Sequence, residues 1–577
     1  MNPSTRYIAV RNYTEIFDNT LPSDRLTFIR QYATDLLILR LSKINAILFQ
    51  EPEIPLQTMN GLDVLFPGMD ASPLLKMRNF ETSAYFSSAS ISMLIKACLE
   101  NFVETADNYP VHPSEIGIDL LKTILIFNET YFRTDPNWEF DSFESIFKLD
   151  LQQQAYIRSN VYQKMFTMVK FAFAAKYVSD ATDLRKECIE FCEYYGISSP
   201  WYFGKFFMSI LEAILPKEQV GKHVLNFEGV PSKFISEFTI TRDNLREHKP
   251  FSVNMDIVPK PFYLIGNDAV ILDFDFFQYH IDQGFFYLLY KNTSLKKGKR
   301  FNSYNAYQGH IGLYYFEQFL VKKYLSAIFY RRSQKIVSTE KFQDFIIKPS
   351  NNNVLVVEVK NATFHANTLE QMDFKNFVST IDQNFLASKA GNSKNKGFLQ
   401  ILKQIDFLVS EDPDLRQQLE IRSTAKMNIY PVILYSDPNF DISGVNEYVN
   451  KNFEAAINDK RHLVQSIRPI TLINVNTFVK YFAHLKQKPS RLTDLIADYF
   501  VYIHKNKKKY TRDKHSQDHY LSNISFDGYL KRKLDGNQWE RNLPEMKKDF
   551  DLNIPAMHEL TSTDQREFPA DRLGTTE

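Results

Sequence analysis

The sequence predicts an α+β multidomain protein. The expected parts are a helical N-terminal region over residues 1–222, a β-rich connector over 223–300, a C-terminal α/β domain with a mixed central sheet over 301–504, and a basic, polar C-terminal extension over 505–577. Three observations predict this. Apolar residues recur at spacings of three and four from about Ser23 to Pro216, strand-like runs begin near His223, and strand and helix patterns interleave from about Asn305 to Phe500. At 577 residues the chain also exceeds what one hydrophobic core supports.

Composition narrows the function classes. Hydrophobic content of 44% with 24% charged residues is that of a globular protein and not of a disordered one. The net charge of +1 gives no whole-molecule attraction to nucleic acid, so binding of that kind has to come from local basic patches. Three cysteines, Cys98, Cys188 and Cys192, leave one unpaired and point to a reducing compartment, and none has a zinc-spaced partner. The opening MNPSTRYIAVRNYTE is polar throughout, and FFYLLY at Phe285 to Tyr290 is far short of a membrane span, so a cytoplasmic location is expected.

In chain order, RLTFIRQYATDLLILRLSKINAIL, SMLIKACLENFVETA and PWYFGKFFMSILEAIL are helical, and prolines divide this region into several helices. The runs KFISEFTITRD, FSVNMDIVP and PFYLIGNDAVILDFDFF read as strands, the last folded at Gly266, Asn267 and Asp268. Asp273 and Asp275 form a D-x-D pair whose plain reading is two carboxylates on the wet face of a strand. SLKKGKRFNS from Ser294 reads as an exposed linker. Beyond it, strands are expected near QKIVS, KFQDFIIK, VLVVEVKNA, NIYPVILYS and RPITLINV, with helices between them; the C-terminal stretch is expected to be poorly ordered.

One stretch, Gly312 to Lys360, gathers chemistry. Strand alternation puts Glu358 and Lys360 on one face and Leu355, Val357 and Val359 on the other. A short Asn-rich turn at Pro349 to Asn353 folds the preceding strand back and brings Asp344 close to Glu358. Two carboxylates this near raise each other's pKa unless a cation intervenes, and a hard divalent ion such as Mg²⁺ relieves that cost. Glu317 sits in an apolar stripe with Leu313, Leu320, Val321 and Tyr324, where a carboxylate needs a partner.

These residues resemble the PD-(D/E)XK, or restriction endonuclease-like, nuclease superfamily over about Gly312 to Asp406. Asp344 matches the motif aspartate, Glu358 and Lys360 match E-X-K, Glu317 matches the helical glutamate, and the helix KGFLQILKQIDF offers Gln400, with Gln404 and Lys396 on the same stripe. Gln343 stands where the motif often has proline. The resemblance implies a restriction endonuclease-like domain that hydrolyses phosphodiester bonds with Mg²⁺, for which Mn²⁺ can substitute. It assigns the metal to Asp344, Glu358 and the Val359 carbonyl, with Glu317 joining directly or through water. Lys360 would position the attacking water, and Gln400 would contact phosphate or orient Lys360.

The expected substrate track is basic. Lys322, Lys323, Arg331, Arg332 and Lys335 follow the Glu317 helix, Lys396 precedes Gln400, and Lys505 to Lys509 with Arg512 and Lys514 form a second run. His365, five residues past Lys360, reads as a surface histidine and not as a base. The expectation is a nuclease acting on DNA rather than RNA, in anti-phage defence or restriction by analogy, whose N-terminal helices face a protein partner or a second copy of the chain. The alternative is a non-catalytic nucleic-acid-binding or complex-assembling protein that keeps the fold.

Overall fold

The structure, a computed structural model, describes residues 9–69, 83–104, 113–132, 142–158, 161–181, 183–214, 219–227, 230, 232–247, 252–298, 300–331, 334–339, 342–364, 366–386, 397–410, 413–488, 490–534 and 539–552. Its contacts divide it into two units. The first takes residues 1–138 and 152–300 with the extreme C-terminus, and the second takes 139–151 and 301–554. Among the described residues no helix is long and apolar enough to cross a membrane.

The first unit is mainly helical. Helices Thr34–Gln50, Ser88–Glu100 and Pro113–Tyr131 bury Leu37, Leu41, Leu94, Leu120 and Ile124 in one core. That same core takes in Ile240, Leu245, Ile257, Tyr263 and Val270, so the connector expected at 223–300 is not a separate body. The connector is also less β-rich than expected. Val224–Asn226, Asp268–Ile271, Phe262–Ile265 and Thr239–Ile240 form a small mixed sheet in that order. KFISEF is a helix, because Phe234 and Phe238, four apart, both turn inward. VNMDI is a helical turn capped by Ser252, whose Oγ accepts the Met255 amide at 3.2 Å.

Two further expectations change here. Asp273 is buried and caps the turn Phe274–Phe276, accepting the Asp275 amide at 2.8 Å, so the D-x-D pair lies on no wet strand face. The expected linker at Ser294 is the short helix Ser294–Lys297 with Leu295 buried, and Arg300 pairs with Asp183 at 2.6 Å.

The second unit is built on a six-stranded mixed sheet. Its path runs Ser466–Ile467, Asn428–Tyr435, Asn353–Lys360, Phe342–Lys348, Lys335–Thr339, with Thr471–Asn474 also paired to Asn428–Tyr435. The two central strands, Asn353–Lys360 and Asn428–Tyr435, run parallel in register from Asn353 with Asn428 to Lys360 with Tyr435. Both are almost wholly buried and read as continuous apolar runs, as parallel strands covered on both faces do. Ile346, Val354 and Val356 pack under helices Phe374–Phe385 and Phe398–Val409 through Phe377, Ile381, Phe385, Ile401 and Ile405.

A segment remote in sequence completes this core. Phe147, at the start of the helix Phe143–Arg158, lies 4.2 Å from Phe377 between ring centroids, and Phe143 stacks on Tyr448 at 5.5 Å. Room for Phe143 comes from Gly444, at φ +93°, where a Cβ would stand 2.6 Å from the ring.

The boundary expected at 505 falls inside the helix Arg491–Asp513. Helices Phe526–Lys533 and Trp539–Phe550 follow, burying Phe526, Leu530, Met546 and Phe550, so order extends well past the expected start of a loose extension. The aromatic content explains it: Phe550 packs on Tyr324 and Phe482, and the Tyr499 hydroxyl donates to the Ile524 carbonyl at 2.8 Å. Residues 553–577 lie outside the described residues.

Candidate metal and phosphate site

The site grows from the hairpin of strands Phe342–Lys348 and Asn353–Lys360. Its register pairs Phe345 with Val357 and Ile346 with Val356, which brings Asp344 opposite Glu358. Asp344 Oδ1 accepts the Val359 amide at 3.2 Å. Both carboxyls are enclosed, with Asp344 3% exposed and Glu358 fully buried. Burial, and next the facing Asp344, push Glu358 well above the usual carboxylate range. Beyond the Val359 amide and Lys360, the remaining oxygens Asp344 Oδ2 and Glu358 Oε2 have only each other: with Glu358 raised, its carboxyl proton bonds it to the facing Asp344.

Lys360 closes one side of the pair. Its ammonium is bonded to Glu358 Oε1 and donates to Gln400 Oε1 at 3.2 Å. Gln400 belongs to the helix Phe398–Val409, so a residue forty positions away is aimed at the lysine by the packing of Ile401 and Ile405 on the sheet. Gln404, one turn further on, is buried with an unpartnered Oε1.

Glu317 arrives from a different kind of helix than expected. Residues Gly312–Val321 form a ten-residue π-helix, continued by the α-helix Lys322–Ile328. Runs of i→i+5 bonding are rare and concentrate at functional sites. The wider turn keeps Glu317, Leu320, Val321 and Tyr324 buried but rotates Leu313 off the stripe, leaving it 42% exposed. Glu317 is 8% exposed; burial first, then the charge of Asp344, push its carboxyl up to about 7, against the pull of Gln318 and Lys360. Gln318 Nε2 donates to Glu317 Oε1 at 2.6 Å.

No family model, curated protein or solved structure matches this chain. Among the described residues no group of three or more His, Cys, Asp or Glu side chains is placed to hold a metal ion, so Glu317 does not complete a three-carboxylate cage with Asp344 and Glu358. Glu317 Oε1 is engaged by Gln318 and Glu358 Oε1 by Lys360. The remaining donors suit Mg²⁺, which keeps several waters and takes one or two carboxylates. They are the Asp344 and Glu358 carboxyls and the Val359 carbonyl. Lys360 O accepts the Ser436 amide on one strand edge, and successive carbonyls alternate, so that of Val359 faces the Asp344 edge.

The basic track is only partly free. Lys322 is exposed, but Lys323 lies over the Phe319 ring at 4.8 Å, Arg331 donates to the Gln487 carbonyl at 2.9 Å, and Lys335 pairs with Glu420 at 2.9 Å. Arg332, Lys396 and His365 lie outside the described residues. The run from Lys505 to Lys509 rides on the helix Arg491–Asp513, with Lys507 paired to Glu447 at 2.9 Å.

Two supporting residues have no local sequence signal. Gln318 is one residue from Glu317, yet an ordinary helix would aim it elsewhere. Asp437 accepts the Phe364 amide at 3.0 Å and pins the exit of the Lys360 strand, a contact set only by the parallel pairing of Asn428–Tyr435.

Proposed function

We propose that the chain is a Mg²⁺-dependent nuclease with a restriction endonuclease-like domain, hydrolysing phosphodiester bonds in DNA. The observation that carries this reading is the pair of enclosed, facing carboxyls, Asp344 and Glu358, beside Lys360. A buried pair of that kind is costly in a protein that makes no use of it.

When bound, a divalent cation supplies Lewis acidity toward a phosphoryl oxygen and toward water. The chain's own groups divide the other tasks. Asp344 and Glu358 would hold the ion, with the Val359 carbonyl. Lys360, steadied by Gln400 at 3.2 Å, would orient a water and stabilise negative charge developing on the phosphate. Glu317, with its carboxyl near 7, suits proton exchange with solvent at neutral pH.

The alternative, a nucleic-acid-binding protein that no longer cuts, is favoured by one observation: Lys360 is engaged with Glu358 where an active site would present a metal. Incubation of the purified chain with plasmid and single-stranded DNA, in Mg²⁺, Mn²⁺ or EDTA, separates the two. Cleavage with Mg²⁺ that is lost in EDTA, in Asp344→Ala and in Lys360→Ala supports the nuclease. Gel retardation without cleavage in any metal supports the alternative.

A further inference from the structure

In the first unit, two thiols share one turn of a helix. The helix Arg185–Tyr195 carries Cys188 and Cys192, four residues apart and so on one face. The two thiols are hydrogen-bonded to each other, and the Ser179 hydroxyl also bonds Cys188. Their spacing is held from beneath. Leu184, Phe191 and Tyr195 are fully buried, the rings of Phe191 and Tyr195 lie 4.9 Å apart between centroids, and Gly196 at φ +67° closes the helix one turn past Cys192. Cys188 is 8% exposed and Cys192 is partly open, so the pair sits just under the surface with one sulfur reachable from solvent.

We infer that Cys188 and Cys192 form a two-sulfur binding site for Cu(I). Ligand count, spacing and charge favour this occupant. Structural zinc takes four ligands, and among the described residues no third Cys, His, Asp or Glu is grouped with the two thiols. Thiolates are soft donors that select Cu(I), a closed-shell ion that two of them satisfy in a line. The spacing also disfavours a disulfide: residues four apart on a helix hold their Cβ atoms about 5–6 Å apart, where a disulfide needs about 3.5–4.5 Å. An ion between the sulfurs spans the wider gap without unwinding the helix. The charge of Glu193 bears on Cys192 and attracts a cation. The hydrogen bond from Cys192 draws the Cys188 thiol down to about 7, so a thiolate is at hand near neutral pH. Binding exchanges two S–H bonds for two Cu–S bonds and releases both protons to solvent, with no change of oxidation state. The site does not depend on the nuclease reading.

The test titrates the full chain, reduced and kept free of oxygen, into the coloured Cu(I) complex of bicinchoninate, whose loss of colour counts the copper withdrawn. The parent is expected to withdraw one Cu(I) per chain, and more completely at pH 8 than at pH 6. Cys98→Ser should behave as the parent, since Cys98 is enclosed and burial pushes its thiol up to about 12. Cys188→Ser and Cys192→Ser should each lose the uptake, as should Cys188→Ala and Cys192→Ala, with circular dichroism showing that the variants fold. A parallel titration against a coloured Zn(II) indicator should show no uptake. A parent that leaves the copper with bicinchoninate overturns the inference. So does a folded Cys188 or Cys192 variant that still withdraws one equivalent, or a parent that takes Zn(II) as readily.

Discussion

Asp344 is tied to the backbone between Glu358 and Lys360, its Oδ1 accepting the Val359 amide at 3.2 Å. The carboxylate therefore does more than face Glu358: it fixes the pleat that separates Glu358 from Lys360. Substitutions here report on charge and on strand geometry together, and the choice of replacement separates the two.

Asp344→Asn keeps an oxygen for the Val359 amide and removes one negative charge. The new amide can also donate to the facing Glu358 carboxyl without needing the proton that the two acids share. In EDTA near pH 8 this variant is expected to melt several degrees above the parent, while any Mg²⁺-dependent cleavage falls on the order of a hundredfold or more. A variant that melts lower would show that the two carboxyls do not repel in the native state.

Lys360→Ala leaves the fully buried Glu358 with no cation beside it. The expected cost in metal-free buffer is on the order of 3 kcal/mol, read from urea unfolding. Added Mg²⁺ should return part of it, because the ion would take over the counter-charge. A cost under roughly half a kcal/mol would place Glu358 in its neutral form without help from Lys360.

Glu317 makes stability depend on pH in a defined direction. Its carboxyl is raised from the ordinary 4.5 to about 7 by burial and by Asp344, so between those values the folded chain keeps a proton that the unfolded chain has lost. Stability contributed by this group is complete below about 4.5, declines as pH rises through the window, and stays low above 7. Buried Asp150, pushed up to about 6, titrates in an overlapping range, so the comparison is with Glu317→Gln, which changes only the one group. In EDTA the variant's advantage over the parent should grow across the window toward a value on the order of 3 kcal/mol, and a pH-independent offset would exclude the shift.

Gly444→Ala should destabilise the second unit by about 1–3 kcal/mol. The added methyl meets the Phe143 ring at 2.6 Å and the backbone sits at φ +93°. Thermal melting of Gly444→Ala against Gly444→Ala/Phe143→Ala divides the cost: recovery in the double variant assigns it to the ring, and no recovery assigns it to the backbone.

Much of the second unit was legible because its signals are local. The strand runs at Lys335–Thr339, Phe342–Lys348, Asn353–Lys360 and Asn428–Tyr435 each declare themselves by β-branched content, and parity alone put Glu358 and Lys360 on one face. Asp344 opposite Glu358 followed from the short turn. The π-helical register at Gly312–Val321 was not legible, because its apolar spacing fits an α-helix equally well apart from Leu313. Nor was the connector, where Phe234 and Phe238 tolerate helix or strand until Tyr195 and Phe203 pack against them. The order beyond Lys505 was hidden by charge: the buried residues there, such as Leu530 and Met546, are sparse between lysines.

The docking of Phe143 and Phe147 on the second unit has a consequence for synthesis. Phe377, the ring nearest to Phe147, follows it by about 230 residues. At roughly 5–20 residues per second the ribosome delivers it some 10–50 s later. Throughout that interval the two phenylalanines have no native partner in the second unit, while the chain from Gln152 to Arg300 emerges and assembles with the first. The nascent chain must therefore hold an apolar helix end in reserve, a point at which a holding chaperone would raise the yield of folded protein and a slow-translating host would lower it.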